Sequence, residues 1–187
     1  ESDGSSSQVT LSLGKVTKEI TLRLNVPGQH NVSNALATIA TATCLGIGTE
    51  TIVNALEGFT GVERRFQRYR TSNNIDVVDD YAHHPTEIRE VLNGVRAAYK
   101  KEEVICIFQP HRISRLKDLK KEFSLSFKKA DVVILCPIYT AGEKIKLGFN
   151  YLNFAKEISK KSDVKVYLVK DQYQLSKFVK QHIYGNK

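Results

Sequence analysis

The stretch from Asp76 to Ile88, DVVDDYAHHPTEI, constrains the fold more than any other part of the chain. Ile75, Val77 and Val78 form a short β-branched run that predicts a buried strand. The run stops at Asp79, Asp80, Tyr81, His83 and His84, and Pro85 follows. Proline suits the first residue of a helix, where no backbone donor is needed. Behind it, Ile88, Val91, Leu92, Val95 and Tyr99 repeat at the spacing of one helical face. Two carboxylates and two imidazoles therefore stand at the carboxyl end of a strand and the start of a helix. Open α/β sheets bind ligands at such ends, and helix starts favour anions.

Downstream the pattern alternates. Apolar strands are predicted at 104–108 (VICIF), 132–136 (VVILC) and 165–169, with helices at roughly 114–129, 150–160 and 172–183. This is the signature of an α/β, Rossmann-like, mostly parallel doubly wound sheet. VICIF is continuously apolar, which predicts burial on both faces. The carboxyl ends of the later strands carry Gln109, Pro110, His111, Arg112 and Arg115, then Pro137, Tyr139, Thr140, Gly142 and Glu143. Most of the chemically capable side chains thus fall on one predicted edge. A small anion held by His111, Arg112 and Arg115 fits that set.

The residues before this pattern read differently. ESDGSSSQ predicts a polar, flexible start. Alternation at Val9, Leu11 and Leu13, then at Ile20, Leu22 and Leu24 around Gly14-Lys15, predicts a β-hairpin. Lys15 is followed by Val16 and lacks the upstream glycine of a phosphate loop. Val26-Pro27-Gly28 closes the second strand. A helix over about 32–45 follows, with Val32, Ala35, Leu36, Ile39 and Thr43 on one face and Gly46 at its end, then a second over 49–57. Asn31 and Asn34 project from one side of the first helical turn beside His30, a weak nucleotide-base site. A domain boundary is expected near residue 61, ahead of Arg64-Arg65, and a hairpin turn at Ser72-Asn73-Asn74.

The bulk properties narrow the classes. The 187 residues carry a formal charge of +8 and 41% hydrophobic residues, enough for a packed core with anionic partners. Much of the excess is lysine after residue 100 at solvent-facing helical positions, so a solvated face is favoured over nucleic-acid binding. Cys44, Cys106 and Cys136 lie in apolar runs without a CxxC pair, which predicts buried thiols in a reducing compartment. With no signal peptide and no long apolar run, a soluble cytoplasmic protein without membrane contact is expected. The chain starts with Glu and has no Met, so a piece of a longer protein is expected.

Single residues leave alternatives open. Adjacent Asp79 and Asp80 point opposite ways on a strand, which argues against a shared-proton dyad. One of them could bind ribose hydroxyls or cap a helix. Asp, His and His could bind a metal for a phosphoesterase, but the spacing matches no such motif, and Pro85 fixes His84 as a cap. A non-catalytic nucleotide-binding module is a further alternative.

In combination the segments GQHNVSNALA, GVERRF, VVDDYAHHPTEI, FQPHRISRLKDL and YTAGE resemble the Mur ligase family from about residue 20 to 170. The run Pro110-His111-Arg112 resembles its alanine-adding branch more than the branch that recycles murein tripeptides. Ala82 stands where that branch is expected to carry Gly. The resemblance implies the end of a central ATPase domain in residues 1–61. It implies an incomplete C-terminal Rossmann-like domain in 62–187. It implies a reaction in which ATP and magnesium convert the muramyl carboxylate of UDP-N-acetylmuramate to an acyl phosphate, which the amine of L-alanine attacks. Asn31 and Asn34 are implied at the adenine with His30 beside it, Arg65 at ATP phosphate and Asp80 at the ribose. Tyr81, His83, His111, Arg112 and Arg115 are implied in the amino-acid and acyl-phosphate pocket, with His83, Arg112 and Arg115 catalytic. No metal ligand is expected in this chain, because the magnesium ligands and the ATP phosphate loop belong to the missing part.

Overall fold

The computed structural model describes residues 5–13, 16–26, 29–143 and 149–184. The predicted turn at Gly14-Lys15 and the Pro27-Gly28 strand end lie outside them. The chain divides into two compact units, Glu1–Tyr81 and Ala82–Lys187.

In the first unit, β1 (Ser5–Leu13) and β2 (Val16–Leu24) pair antiparallel from Ser5 opposite Leu24 to Leu13 opposite Val16. The hairpin is as expected; of the flexible start expected over residues 1–8, Ser5–Gln8 are strand instead, and 1–4 lie outside the described residues. Ser5–Gln8 continue the strand because Thr21–Leu24 offer a ladder of backbone partners, and pairing needs no apolar side chain. Ile20, Leu22 and Leu24 are buried while Thr21 and Arg23 between them are exposed. That is the two-residue period of a half-buried sheet. On that face pack α1 (Gln29–Cys44) and α2 (Thr49–Glu57), through Ala35, Ile39 and Ile52. Leu36, expected on the buried face, is 42% exposed; Val32 packs there as expected and Ala42 joins the stripe. Gly46 ends α1 at φ +79°, with Ile47 N–H donating to Ala42 O and Gly46 N–H to Thr43 O. This six-to-one plus five-to-two pattern needs a left-handed residue, which glycine supplies without strain. Cys44 is exposed, contrary to expectation, because it falls on the outer side of that last turn.

A second hairpin closes the unit: β3 (Gln67–Arg70) and β4 (Asp76–Asp79), antiparallel, turning through 71–75 with Asn74 at φ +59°. The turn at Ser72-Asn73-Asn74 is as predicted. The strand expected to join the parallel sheet pairs, among the described residues, with β3 instead.

The second unit begins with α3 (Pro85–Ala98) and builds a three-stranded parallel sheet in the order β5 (Ile105–Phe108), β6 (Val132–Leu135), β7 (Lys165–Leu168). Between the first two strands lie α4 (Ile113–Asp118) and α5 (Lys120–Leu125), broken at Leu119, where one helix was expected. Between the last two lies α6 (Tyr151–Ser162), and α7 (Gln172–Val179) follows β7, continued by a π-helical turn, Lys180–Tyr184. Helices cover both faces, as the doubly wound reading requires. Leu92, Leu116, Phe123, Phe127, Phe154 and Ile158 pack with Val133 and Leu135 on one face. Leu175 and Phe178 of α7 meet Val132 and Ile134 on the other. All four residues of β6 are buried, as a central parallel strand should be. The edge strand β5 is not buried on both faces as expected, since Ile107 is 48% exposed.

One charged clasp pins the entry to the sheet. Asp131 Oδ2 accepts from Arg96 Nη2 at 2.6 Å and from Val104 N–H at 2.7 Å. Arg96 also donates to the carbonyls of Lys129, Tyr99 and Glu102. Desolvation alone would raise the Asp131 carboxyl, but the Val104 N–H and the guanidinium outweigh it and hold it below the usual carboxylate range. A depressed carboxyl stabilises the fold above its unfolded value near pH 4, and the effect is lost as pH falls through the lower folded value. Asp131→Asn is expected to lower the urea midpoint at pH 7. Its deficit against the unsubstituted chain should shrink as the pH drops below about 4. A deficit constant with pH would show that the charge is not what matters.

Candidate site at the carboxyl ends of the parallel strands

In the second unit, backbone hydrogen bonds extend the ladder beyond β5 and β6. Tyr139 N–H donates to Pro110 O at 2.8 Å and Arg112 N–H to Tyr139 O at 2.9 Å, forming an isolated parallel bridge between His111 and Tyr139. Three rings gather there. His83, just ahead of α3, stacks on His111 at 6.0 Å between centroids and 15° between planes. Tyr139 meets His111 edge-on at 5.2 Å. His83 and His111 are half-buried, Arg112 is exposed and Arg115 half-buried one turn on. Residues far apart in sequence therefore meet because two parallel strands end side by side. Arg112 adopts φ +65° although it is not glycine. Such backbone costs of order 1–3 kcal/mol and persists only where its surroundings hold it.

Both helix starts are closed by the chain's own side chains. His84 caps α3, accepting from Thr86 N–H, and Glu87 accepts from the N–H groups of both His83 and His84, a reciprocal capping box. The Glu87 carboxylate also lies 3.7 Å from His83 Nδ1. The helix cap considered for Asp79 or Asp80 is thus filled by other residues. At α4, Glu143 accepts from the Ser114 N–H and hydroxyl. The hydroxyl, then the N–H, hold the Glu143 carboxyl below its usual value, with Arg112 adding to the effect. An anion at this rim would therefore meet guanidinium and imidazole groups, since the His84, Thr86 and Ser114 amides are already engaged.

In the first unit, the turn around Arg65 is unusual. Arg64 and Phe66 on either side adopt φ +57° and +52°. Phe66 N–H donates to Asp80 Oδ2 at 2.9 Å, Tyr81 N–H donates to Arg64 O at 2.8 Å, and the Arg64 guanidinium lies 4.6 Å from the centre of the Tyr81 ring. Asp80 is thus a latch on this turn as well as a candidate ligand. On α1, His30 and Asn31 are half-buried and Asn34 exposed, all within the opening turns, because the helix starts three residues earlier than expected.

Among the described residues no three His, Cys, Asp or Glu side chains gather to hold a metal ion. No helix of the described residues is long and apolar enough to cross a membrane. Cys136 is buried, and burial, then the neighbouring Cys136 sulfur, push the Cys106 thiol up to about 12. Sequence reasoning passed over Glu87 and Ser114 and left Tyr139 and Glu143 without roles. A carboxylate three residues after a cap was a usable signal for Glu87. Nothing local marks the partnership of Ser114 and Glu143, 29 residues apart.

The model of the family described as Mur ligase, glutamate ligase domain, matches residues 64–184. A UDP-N-acetylmuramate–L-alanine ligase of Pelagibacter ubique is 66% identical over 173 residues, 91% of this chain and 37% of that protein. One from Brucella anthropi is 50% identical over 137 residues, 73% of this chain and 29% of that protein. The chain thus spans about a third of the length of the curated relatives it matches. Among crystal structures, the UDP-N-acetylmuramate-alanine ligase of Thermotoga maritima superposes with TM-score 0.64 at 35% identity, covering 84% of this chain and 33% of that one. A murein peptide ligase of Psychrobacter arcticus superposes with TM-score 0.71 at 25% identity, covering 94% and 36%.

Proposed function

The chain belongs to the Mur ligase family, and from that premise we propose that it is part of an ADP-forming ligase joining L-alanine to UDP-N-acetylmuramate in peptidoglycan precursor synthesis. The observation that carries this reading is the 66% identity to a ligase of that name, running across nearly the whole chain. The rim of His83, His111, Arg112 and Tyr139 supports it, because a small amino acid and a phosphoryl group both need cationic, hydrogen-bonding side chains at close quarters.

In this reading residues 1–61 end the central ATP-binding domain and 62–187 are the C-terminal domain. The start of the family match at residue 64 agrees with that division. His30, Asn31 and Asn34 face the adenine, Asp80 the ribose and Arg65 the ATP phosphates. Tyr81, His83, His111, Arg112 and Arg115 serve the alanine and the acyl phosphate. The muramyl carboxylate attacks the γ-phosphorus and ADP leaves. The alanine amine then attacks the acyl carbon, phosphate leaves and the amine loses a proton. Positioning and charge neutralisation supply most of the catalysis in such transfers. Magnesium, which the family reaction implies, would neutralise charge on the ATP phosphates; among the described residues no three His, Cys, Asp or Glu side chains gather to hold it. Substrates of that kind, a nucleotide sugar and ATP, fit a cytoplasmic enzyme.

A second reading, recycling of murein tripeptides, is favoured by the TM-score of 0.71 to a murein peptide ligase. One experiment separates the two. A full-length ligase carrying this sequence is given UDP-N-acetylmuramate, ATP and either alanine or the tripeptide. ADP release is expected with alanine and not with the tripeptide; the opposite preference would establish the recycling enzyme. The 187-residue chain alone is expected to release none, since its sequence holds no Gly-Lys-Thr or Gly-Lys-Ser.

A further inference from the structure

The segment Tyr139–Glu143 touches the backbone around Arg112 on both sides. Ahead of the side chain, Arg112 N–H donates to Tyr139 O. Two residues beyond it, Ser114 offers its N–H and its hydroxyl to Glu143. Between these anchors Arg112 is held at φ +65°, where a residue with a Cβ does not rest unaided. It is also the N-cap position of α4, yet its own side chain makes no capping bond. The cap is supplied from 29 residues away. A turn with Ala141 at φ +52° and Gly142 at φ +84° brings the carboxylate back to α4.

From this arrangement we propose that Glu143 is a positioning residue for amino-acid recognition, acting through Arg112. It fixes the start of α4 and so aims the guanidinium at the incoming carboxylate. The assignment rests on the alanine-ligase reading above. Glu143 makes no contact with substrate in this scheme. Its carboxylate is spent on the Ser114 hydroxyl and N–H. A loose α4 start would let the arginine adopt ordinary backbone angles and swing its side chain off target. Displacements of about 1 Å at a reacting centre cost up to about 100-fold in rate.

The test uses a full-length ligase carrying this sequence, assayed for alanine-dependent ADP release. Glu143→Ala is expected to raise the alanine KM about tenfold and to leave the ATP KM within about twofold. Glu143→Gln keeps an acceptor for Ser114 and is expected to restore most of the loss. In an Arg112→Ala background, Glu143→Ala is expected to add less than about twofold, because residues acting through one another are not additive. An unchanged alanine KM would overturn the assignment, as would a full tenfold added on top of Arg112→Ala, or an ATP KM rising in parallel. If Glu143→Ala does not fold, Ser114→Ala carries the same comparison. An inactive unsubstituted enzyme would sink the alanine-ligase reading itself, which keeps the two failures apart.

Discussion

Arg112→Ala, in a full-length ligase carrying this sequence, is expected to lower kcat/KM for alanine by about 10- to 100-fold, the worth of one or two charge-assisted hydrogen bonds. ATP binding should hardly change, because the residues assigned to adenine, ribose and phosphate lie elsewhere in the sequence. Arg112→Lys should recover little. Lysine keeps the charge but not the planar fork that pairs with a carboxylate at two points. The strained backbone sharpens the expectation. A rotamer change alone does not replace a side chain whose main chain is anchored on both sides by Tyr139 and Ser114. An alanine kcat/KM that stays the same in Arg112→Ala would remove this residue from the pocket and leave Arg115 to hold the anion alone.

Phe154→Ala is expected to cost about 3–5 kcal/mol in stability, the range for emptying a large aromatic site in a core. Phe154 is fully buried at the centre of an aromatic group with Phe149, Tyr151 and Phe123, at centroid distances of 5.5, 6.2 and 6.3 Å. Its neighbours sit on α5, α6 and the segment before α6, so no single element can move to fill the void. A domain's whole stability is about 5–15 kcal/mol, so the variant should melt far below the unsubstituted chain, with a large shift in urea midpoint. Ile107→Ala makes the matched control. That side chain is nearly half exposed on the edge strand, and its loss should cost well under half as much. Equal costs at the two positions would mean that the packing around Phe154 is not the centre of the second unit.

The sequence made α3 legible because every local signal agreed there. Pro85 marked the start, the apolar spacing marked the face, and Ile88 and Leu92 are buried as that spacing requires. The α/β reading of the later strands was legible for the same reason, since β6 is apolar at every position. What failed depended on neighbours rather than on local pattern. Ile107 looked like an interior residue, but burial on both faces is a property of a central strand, and β5 is an edge among the described residues. Asp76–Asp79 looked like part of the parallel sheet, but strand composition does not name the strand it will pair with. Ser5–Gln8 looked too polar for structure, yet ladder bonds ask only for backbone. The site divides the same way. His83, His111 and Arg112 could be seen because a strand end in an α/β pattern is a known place to look. The partnership of Glu143 with Ser114 could not be seen, because it exists only once two loops are side by side.

The self-closed helix starts have a consequence for how ligands come and go. Main-chain amides are a fixed mould, and an anion seated in one must fit it closely. With His84, Glu87 and Glu143 already in those seats, an anion at this rim would be met by the side chains of His83, His111 and Arg112 rather than by main-chain donors. Ordering side chains costs entropy at each binding, so such a grip would be weaker than a main-chain cradle. A weaker grip of that kind lets a bound anion exchange more readily.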